Sequence, residues 1–255
     1  MYMYILCYKN IKKTSRMILN YSPNFSTPSR NINKIKYIVF HYTGMRSENK
    51  AINRLLNVKS KVSCHYFIKK NGKIILMVPE NYEAWHAGKS NWKNDKSLNK
   101  NSIGIEITNK GHEHSYEKFS NNQILSIIKL VKFLIKKYKI NRKNILGHSD
   151  ISTERKKDPG EKFPWHHLSK KGIGLWHNIK KTELKKFRNQ KITIFEQLKG
   201  IKLLKNIGYF NNKLKDKKHS KLIKSFQRRY RQELIDGIMD LECLIIAEKL
   251  SKLYK

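Results

Sequence analysis

The chain has 255 residues and carries 55 Lys+Arg against 19 Asp+Glu, a net charge of +36. That length allows one sizeable domain with a real core and a second, smaller one. With 39% apolar residues and many aromatics the composition is not that of a disordered chain, and it has no run of about 18 apolar residues that would make a transmembrane helix.

Residues 1–33 read as an irregular lead-in. "MYMYILCYKNIKK" is apolar and then basic, the reverse of an export signal, and "NYSPNFSTPSRN" reads as loop. "KIKYIVFHYT" is a buried strand ending in His41, and "SENKAINRLLN" is a helix. "SCHYFIKKNGKIILMVP" is two strands around Asn71-Gly72, the strongest short hairpin signal. "NSIGIEITNKG" is a further buried strand with Glu106 embedded in it. "NNQILSIIKLVKFLIKKYKI" puts Ile124, Ile127, Ile128, Val131, Leu134 and Ile135 on one helical stripe. "NILGH" is a short strand ending at His148. Interleaved strands and helices predict an α/β domain over 34–180, with a mixed central sheet flanked by helices.

After Trp176 the texture changes, and the boundary is expected near Lys180 to Gln190. "TIFEQLKGIKLLKNIGYF", "SKLIKSFQRRYRQ" and "LECLIIAEKLSKLY" read as three helices, with breaks at Gly208 and at "DGIMD". They predict a small three-helix bundle over 190–255.

A polyanionic partner is one reading of the charge. The lysines run along the whole chain, together with an excess of Asn, Ile and Tyr, which fits an AT-rich genome better than a dedicated face. No specific nucleic-acid partner is expected, and a monomer is. The three cysteines, Cys7, Cys64 and Cys243, form no CxxC pair. Neither a disulfide framework nor a thiolate metal site is indicated, and Cys64 reads as a small buried residue.

The stretch "LGHSDISTERKKDPGEKFPWHHL" asks for a different explanation. A catalytic zinc site takes three protein ligands and keeps one open position. His41 and His148 each end a predicted strand. Asp158 sits before Pro159-Gly160, where the proline stiffens the loop. Spacing alone leaves ordinary core or surface histidines equally open. Glu106 is either an outward-facing solvated carboxylate or a general base, since a buried carboxylate needs a partner. Lys156 is either one more lysine or a cation for a developing oxyanion.

The ordered motifs "IVFHYT", "AWHAG", "SIGIEI", "GHSDI", "KKDPG" and "FPWHHLSKKGIGLW" resemble those of zinc-dependent N-acetylmuramoyl-L-alanine amidases of type 2, over about 32–176. "IGY", "FQRRY" and "DGIMD" more weakly resemble a peptidoglycan-binding domain, a layout similar to the AmiD branch of the family. The resemblance implies Zn2+ held by His41, His148 and Asp158, with Glu106 and Lys156 as catalytic residues. It implies hydrolysis of the amide between the muramyl lactyl group and L-alanine in peptidoglycan or muropeptides, for wall turnover or recycling. It also implies a place in the cell envelope or periplasm; the N-terminus shows no clear export signal, which leaves the cytoplasm as the alternative. The rival classes are a binding-only peptidoglycan module and a basic nucleic-acid-binding protein.

Other residues are read more plainly. Trp85 and His86 line a substrate groove or pack at a strand edge, and Trp165 is a substrate-side candidate. His65 reads as a structural residue or a support for a ligand rather than as a ligand itself. His112, His114, His177 and His219 are expected on the solvated surface, and His166 and His167 on the surface rather than in the cleft. Asp150 either orients a ligand or caps the turn after His148.

Overall fold

The computed structural model describes residues 17–210 and 219–255. Cys7 and the start of the lead-in lie outside them. The described residues divide into two compact units, one within 17–88 and 99–140, the other within 89–98, 141–210 and 219–255.

In the first unit the strands are β1 (Ile18–Leu19), β2 (Phe25–Ser26), β3 (Tyr37–Tyr42), β4 (Tyr66–Ile68), β5 (Ile74–Leu76) and β6 (Glu83–Ala84). The second unit contributes β7 (Asn91–Trp92) and β8 (Asp95–Lys96), and the first unit resumes with β9 (Ser102–Ile107). The first unit's sheet runs β1-β5-β4-β9-β3. It is mixed: β4 and β5 pair antiparallel as a hairpin, whereas β4 with β9, β9 with β3 and β1 with β5 are parallel. The lead-in was expected to be irregular, but Ile18 and Leu19 pair with Ile75 and Leu76 and lengthen the sheet.

Local chemistry accounts for these elements. Gly72 takes φ +82°, and its N–H bonds Lys69 O at 2.9 Å, closing the hairpin that the Asn71-Gly72 pair predicts. From Tyr37 to His41 β3 is buried at every position, as a strand covered on both faces must be. The helix Glu48–Leu56 starts on Ser47, whose side chain accepts from the Lys50 N–H. It lays Ala51, Ile52 and Leu55 against Phe67, Ile75 and Met77. Each such large aliphatic side chain contributes roughly 1.5–3 kcal/mol when fully buried. The helix Asn121–Tyr138 opens with a Ser120–Gln123 capping box and buries Ile127, Leu130, Val131 and Leu134, close to the predicted stripe.

The second unit holds β10 (Ile145–Gly147) and the short helices His148–Ile151, Trp165–Lys170 and Lys181–Lys186. Its three longer helices are Ile194–Ile207, Ser220–Tyr230 and Leu241–Leu253, where the sequence pattern places helices. His148 is therefore the first residue of a helical turn rather than the last of a strand. A boundary is expected near Lys180 to Gln190, and the second compact unit takes in these helices together with residues from 141 onward.

The reason is a buried polar and aromatic cluster within this unit. Arg229 and Tyr209 both bond Asp150, and the Arg229 guanidinium lies 4.1 Å over the Trp165 ring. Trp92, Tyr209 and Tyr254 pack edge to face beside them. Gly208 ends the helix Ile194–Ile207 at φ +139°, and a Cβ there would overlap the Trp92 indole. Gly208→Ala is expected to destabilise the protein by about 2 kcal/mol or more, because it adds strain at positive φ to overpacking. A thermal midpoint equal to wild type would contradict this.

Candidate metal centre

His41 lies on β3 and Glu106 on β9. Parallel register sets Glu106 of β9 beside His41 of β3 and beside Phe67 of β4. The residues flanking Glu106 are fully buried while Glu106 itself is half-buried, so its carboxylate reaches a less enclosed setting than Ile105 and Ile107. His41 is buried, and its Nε2 lies 3.0 Å from Nδ1 of His86.

His148, Lys156 and Asp158 follow β10 in the chain. Gly147 precedes the turn His148–Ile151, and Asp150 Oδ2 accepts the Gly147 N–H at 2.8 Å, which caps that turn. The Asp158 loop is tied back to it, since the Ser149 N–H bonds Asp158 O at 2.8 Å. His148 Nδ1 and Asp158 Oδ2 then lie 3.0 Å apart, both side chains buried. Lys156 is half-buried, and its backbone N–H bonds Ser152 O at 3.0 Å.

Among the described residues His41, His148 and Asp158 form a group able to hold a metal ion, with one ligand atom from each lying within 4.8 Å of the others. Two imidazole nitrogens and one carboxylate oxygen make a donor set that a divalent transition metal accepts. Three buried groups of this kind gathered at one point are costly without an ion or a full set of hydrogen bonds.

The remaining candidates fall in different places. Trp85 is half-buried and donates from Nε1 to Ser26 Oγ at 2.9 Å. His86 is buried against His41, which favours the packing alternative. Trp165 is buried between Phe163 and Arg229, so its indole faces the interior of its unit. His65 is buried: its Nδ1 accepts the Gly104 N–H at 3.0 Å, and burial, reinforced by the Arg30 charge, holds its pKa well below the ordinary value. Cys64 is buried, and burial followed by the Glu106 charge pushes its thiol pKa up.

Two surface expectations are corrected. His177 is buried beside Trp176 and accepts the Ile179 N–H at 3.1 Å, and burial brings its pKa down to about 4. His112 is half-buried, stacked on Tyr116 and 2.8 Å from the Tyr42 hydroxyl. In both cases neighbouring aromatics, not polar context in the sequence, decide the burial. His114 and His219 are half-buried, and His166 and His167 are exposed.

Arg155 is the residue that sequence reasoning passed over. Its guanidinium bonds Lys89 O at 3.0 Å and Ser152 Oγ at 3.1 Å, and it lies 3.5 Å from His148 Nε2. Burial lowers its pKa and the Asp158 charge opposes that shift. Its lysine-rich loop gives it no local signal.

Residues 31–161 match the Amidase_2 family, N-acetylmuramoyl-L-alanine amidase. The chain is 33% identical over 234 residues to N-acetylmuramoyl-L-alanine amidase AmiD of Escherichia coli (strain K12), covering 87% of this chain and 84% of that protein. It is 42% identical over 107 residues to the 1,6-anhydro-N-acetylmuramyl-L-alanine amidase AmpD of Haemophilus influenzae, covering 41% of this chain and 55% of that protein. Among solved structures it is similar to E. coli AmiD in complex with anhydro-N-acetylmuramic acid-L-Ala-D-gamma-Glu-L-Lys. There the TM-score is 0.76 and the identity 31%, over 90% of this chain and 92% of that one. AmpDh3 of Pseudomonas aeruginosa gives a TM-score of 0.75 at 28% identity, over 90% of this chain and 95% of that one.

Proposed function

This chain belongs to the N-acetylmuramoyl-L-alanine amidase family, and from that premise we propose that it is a zinc amidase whose metal is held by His41, His148 and Asp158. The observation that carries the reading is the gathering of those three buried donors. Three protein ligands leave one position free, the arrangement of catalytic rather than structural zinc. Bound there, zinc supplies a Lewis acid that polarises water and the scissile carbonyl.

The chain's own residues do the rest. Glu106 takes the proton of the attacking water, and the oxygen adds to the carbonyl carbon of the lactyl–L-alanine amide. Lys156 stabilises the negative charge that builds on the carbonyl oxygen. Glu106 then returns the proton to the amine of L-alanine as the C–N bond breaks. The products are the muramyl sugar and a free stem peptide.

The substrate is peptidoglycan or a muropeptide, as the names of the relatives suggest. That points to work at the cell envelope, in turnover or recycling of the wall, and we take the protein to act as a monomer. Among the described residues no helix is long and apolar enough to cross a membrane. We assign wall retention to the bundle 190–255, whose first long helix exposes Ile194, Phe195 and Leu198.

The test is mass spectrometry of the purified protein incubated with an anhydro-N-acetylmuramyl tripeptide. Release of the free tripeptide supports the reading; binding without release would make the chain a recognition module. In the same assay Lys156→Met is expected to keep the metal and lose rate on the order of a hundredfold, the size of one missing oxyanion donor. Wild-type turnover in that variant would remove Lys156 from the mechanism.

A further inference from the structure

Behind His41 lies a second buried histidine with a definite hydrogen-bond order. His41 Nε2 is 3.0 Å from His86 Nδ1, and His86 Nε2 is 3.1 Å from Ser102 Oγ. All three side chains are buried. A contact between two neutral imidazoles at this distance needs one N–H and one lone pair.

Only one order of protons leaves His41 able to bind a metal. If His41 donates from Nε2, its Nδ1 keeps a lone pair, His86 accepts at Nδ1, and the His86 Nε2–H is directed to Ser102 Oγ. In the reverse order His41 carries its proton on Nδ1 and its Nε2 lone pair is taken up by His86. Neither nitrogen is then free for an ion.

The surroundings hold His86 in place for this role. Its ring lies over Gly104, where a Cβ would overlap it, so the glycine of "SIGIEI" is the residue that admits the ring. His65 stands edge-on to it with ring centroids 5.6 Å apart, and is itself anchored by the Gly104 N–H. The backbone at this point is fixed as well, because Asn99 Oδ1 accepts the N–H groups of His86 at 3.2 Å and Ala87 at 2.7 Å.

We propose that His86 is a positioning residue for the metal ligand His41: it accepts the Nε2–H of His41, fixes that tautomer and aims Nδ1 at the ion, with Ser102 fixing His86 in turn. This rests on the reading of His41 as a zinc ligand. Partners that hold a ligating histidine by its second nitrogen set its orientation and basicity.

The experiment measures zinc affinity of the full chain by competition with a chromogenic chelator, for wild type, His86→Phe, His86→Asn and His86→Gln. Asparagine places its amide oxygen near the site of Nδ1, whereas glutamine reaches toward that of Nε2. His86→Phe and His86→Gln are expected to bind zinc roughly 10- to 100-fold more weakly, the usual loss for such a partner. His86→Asn is expected to recover most of the affinity. Long-range proton–nitrogen NMR of the zinc form should show His41 protonated at Nε2. Equal affinity for the asparagine and glutamine variants, or an unprotonated His41 Nε2, overturns the proposal; that comparison decides even if His86→Phe does not fold. If His41→Ala loses zinc while all His86 variants bind it like wild type, the role of His86 alone fails. If wild type takes up no zinc, the metal assignment fails with it.

Discussion

Glu106→Gln is expected to keep the fold and the metal and to slow peptide release by roughly a hundredfold to ten-thousandfold, the range of a general base. The amide is nearly isosteric with the carboxylate and removes only the proton acceptor. Register places Glu106 directly across from His41, so its backbone position is set by the β3–β9 ladder, not by its charge. No loss of stability is therefore expected from the substitution. The check is steady-state release of tripeptide together with zinc content and a thermal midpoint. Near wild-type release with zinc bound would make Glu106 a structural carboxylate and leave the metal as the sole catalyst.

Arg229→Met is expected to lower stability by about 3–5 kcal/mol, the cost of leaving a buried charge without its partner. Asp150 and Arg229 are each about 1% exposed. Arg229 also bonds Ile145 O at 2.9 Å and covers the Trp165 ring, so methionine replaces the stem but none of the donors. Pairing it with Asp150→Asn should recover part of the loss, because the stranded carboxylate is then gone. Denaturant midpoints of the single and double variants measure this. An unchanged midpoint for Arg229→Met would show that the pair is not needed. Because Asp150 also caps the turn that begins at His148, the single variant should weaken zinc binding too. Cutting the chain near residue 180 would remove Arg229 and expose Trp165, so the bundle is part of the second unit's core.

Much of this was legible in the residues. Asn71-Gly72 announced its hairpin because an Asn-Gly pair needs no tertiary context to turn. The stripe from Ile127 to Leu134 announced its helix through period alone. The grouping of His41, His148 and Asp158 was legible only through ordered motifs, since residues far apart in sequence carry no local spacing signal. Asp150 could be read either as a cap or as a support for a ligand, and only its bonds to Gly147, Tyr209 and Arg229 define its place. Arg229 carries no signal of its own in "FQRRY", because a partner 79 residues away leaves no trace in a local pattern. For the same reason Trp165 read as a groove residue, and His177 as a surface one. Burial of a single aromatic or histidine depends on what later segments lay over it.

The most direct test of the central claim is removal of the metal. Protein stripped by a chelator and dialysed should release no tripeptide from the anhydromuramyl substrate. Activity should return in proportion to added zinc and reach its full value at one equivalent per chain. The His41→Ala protein should not recover under the same titration. Full activity in the stripped wild-type protein, with zinc absent by elemental analysis, would contradict the account.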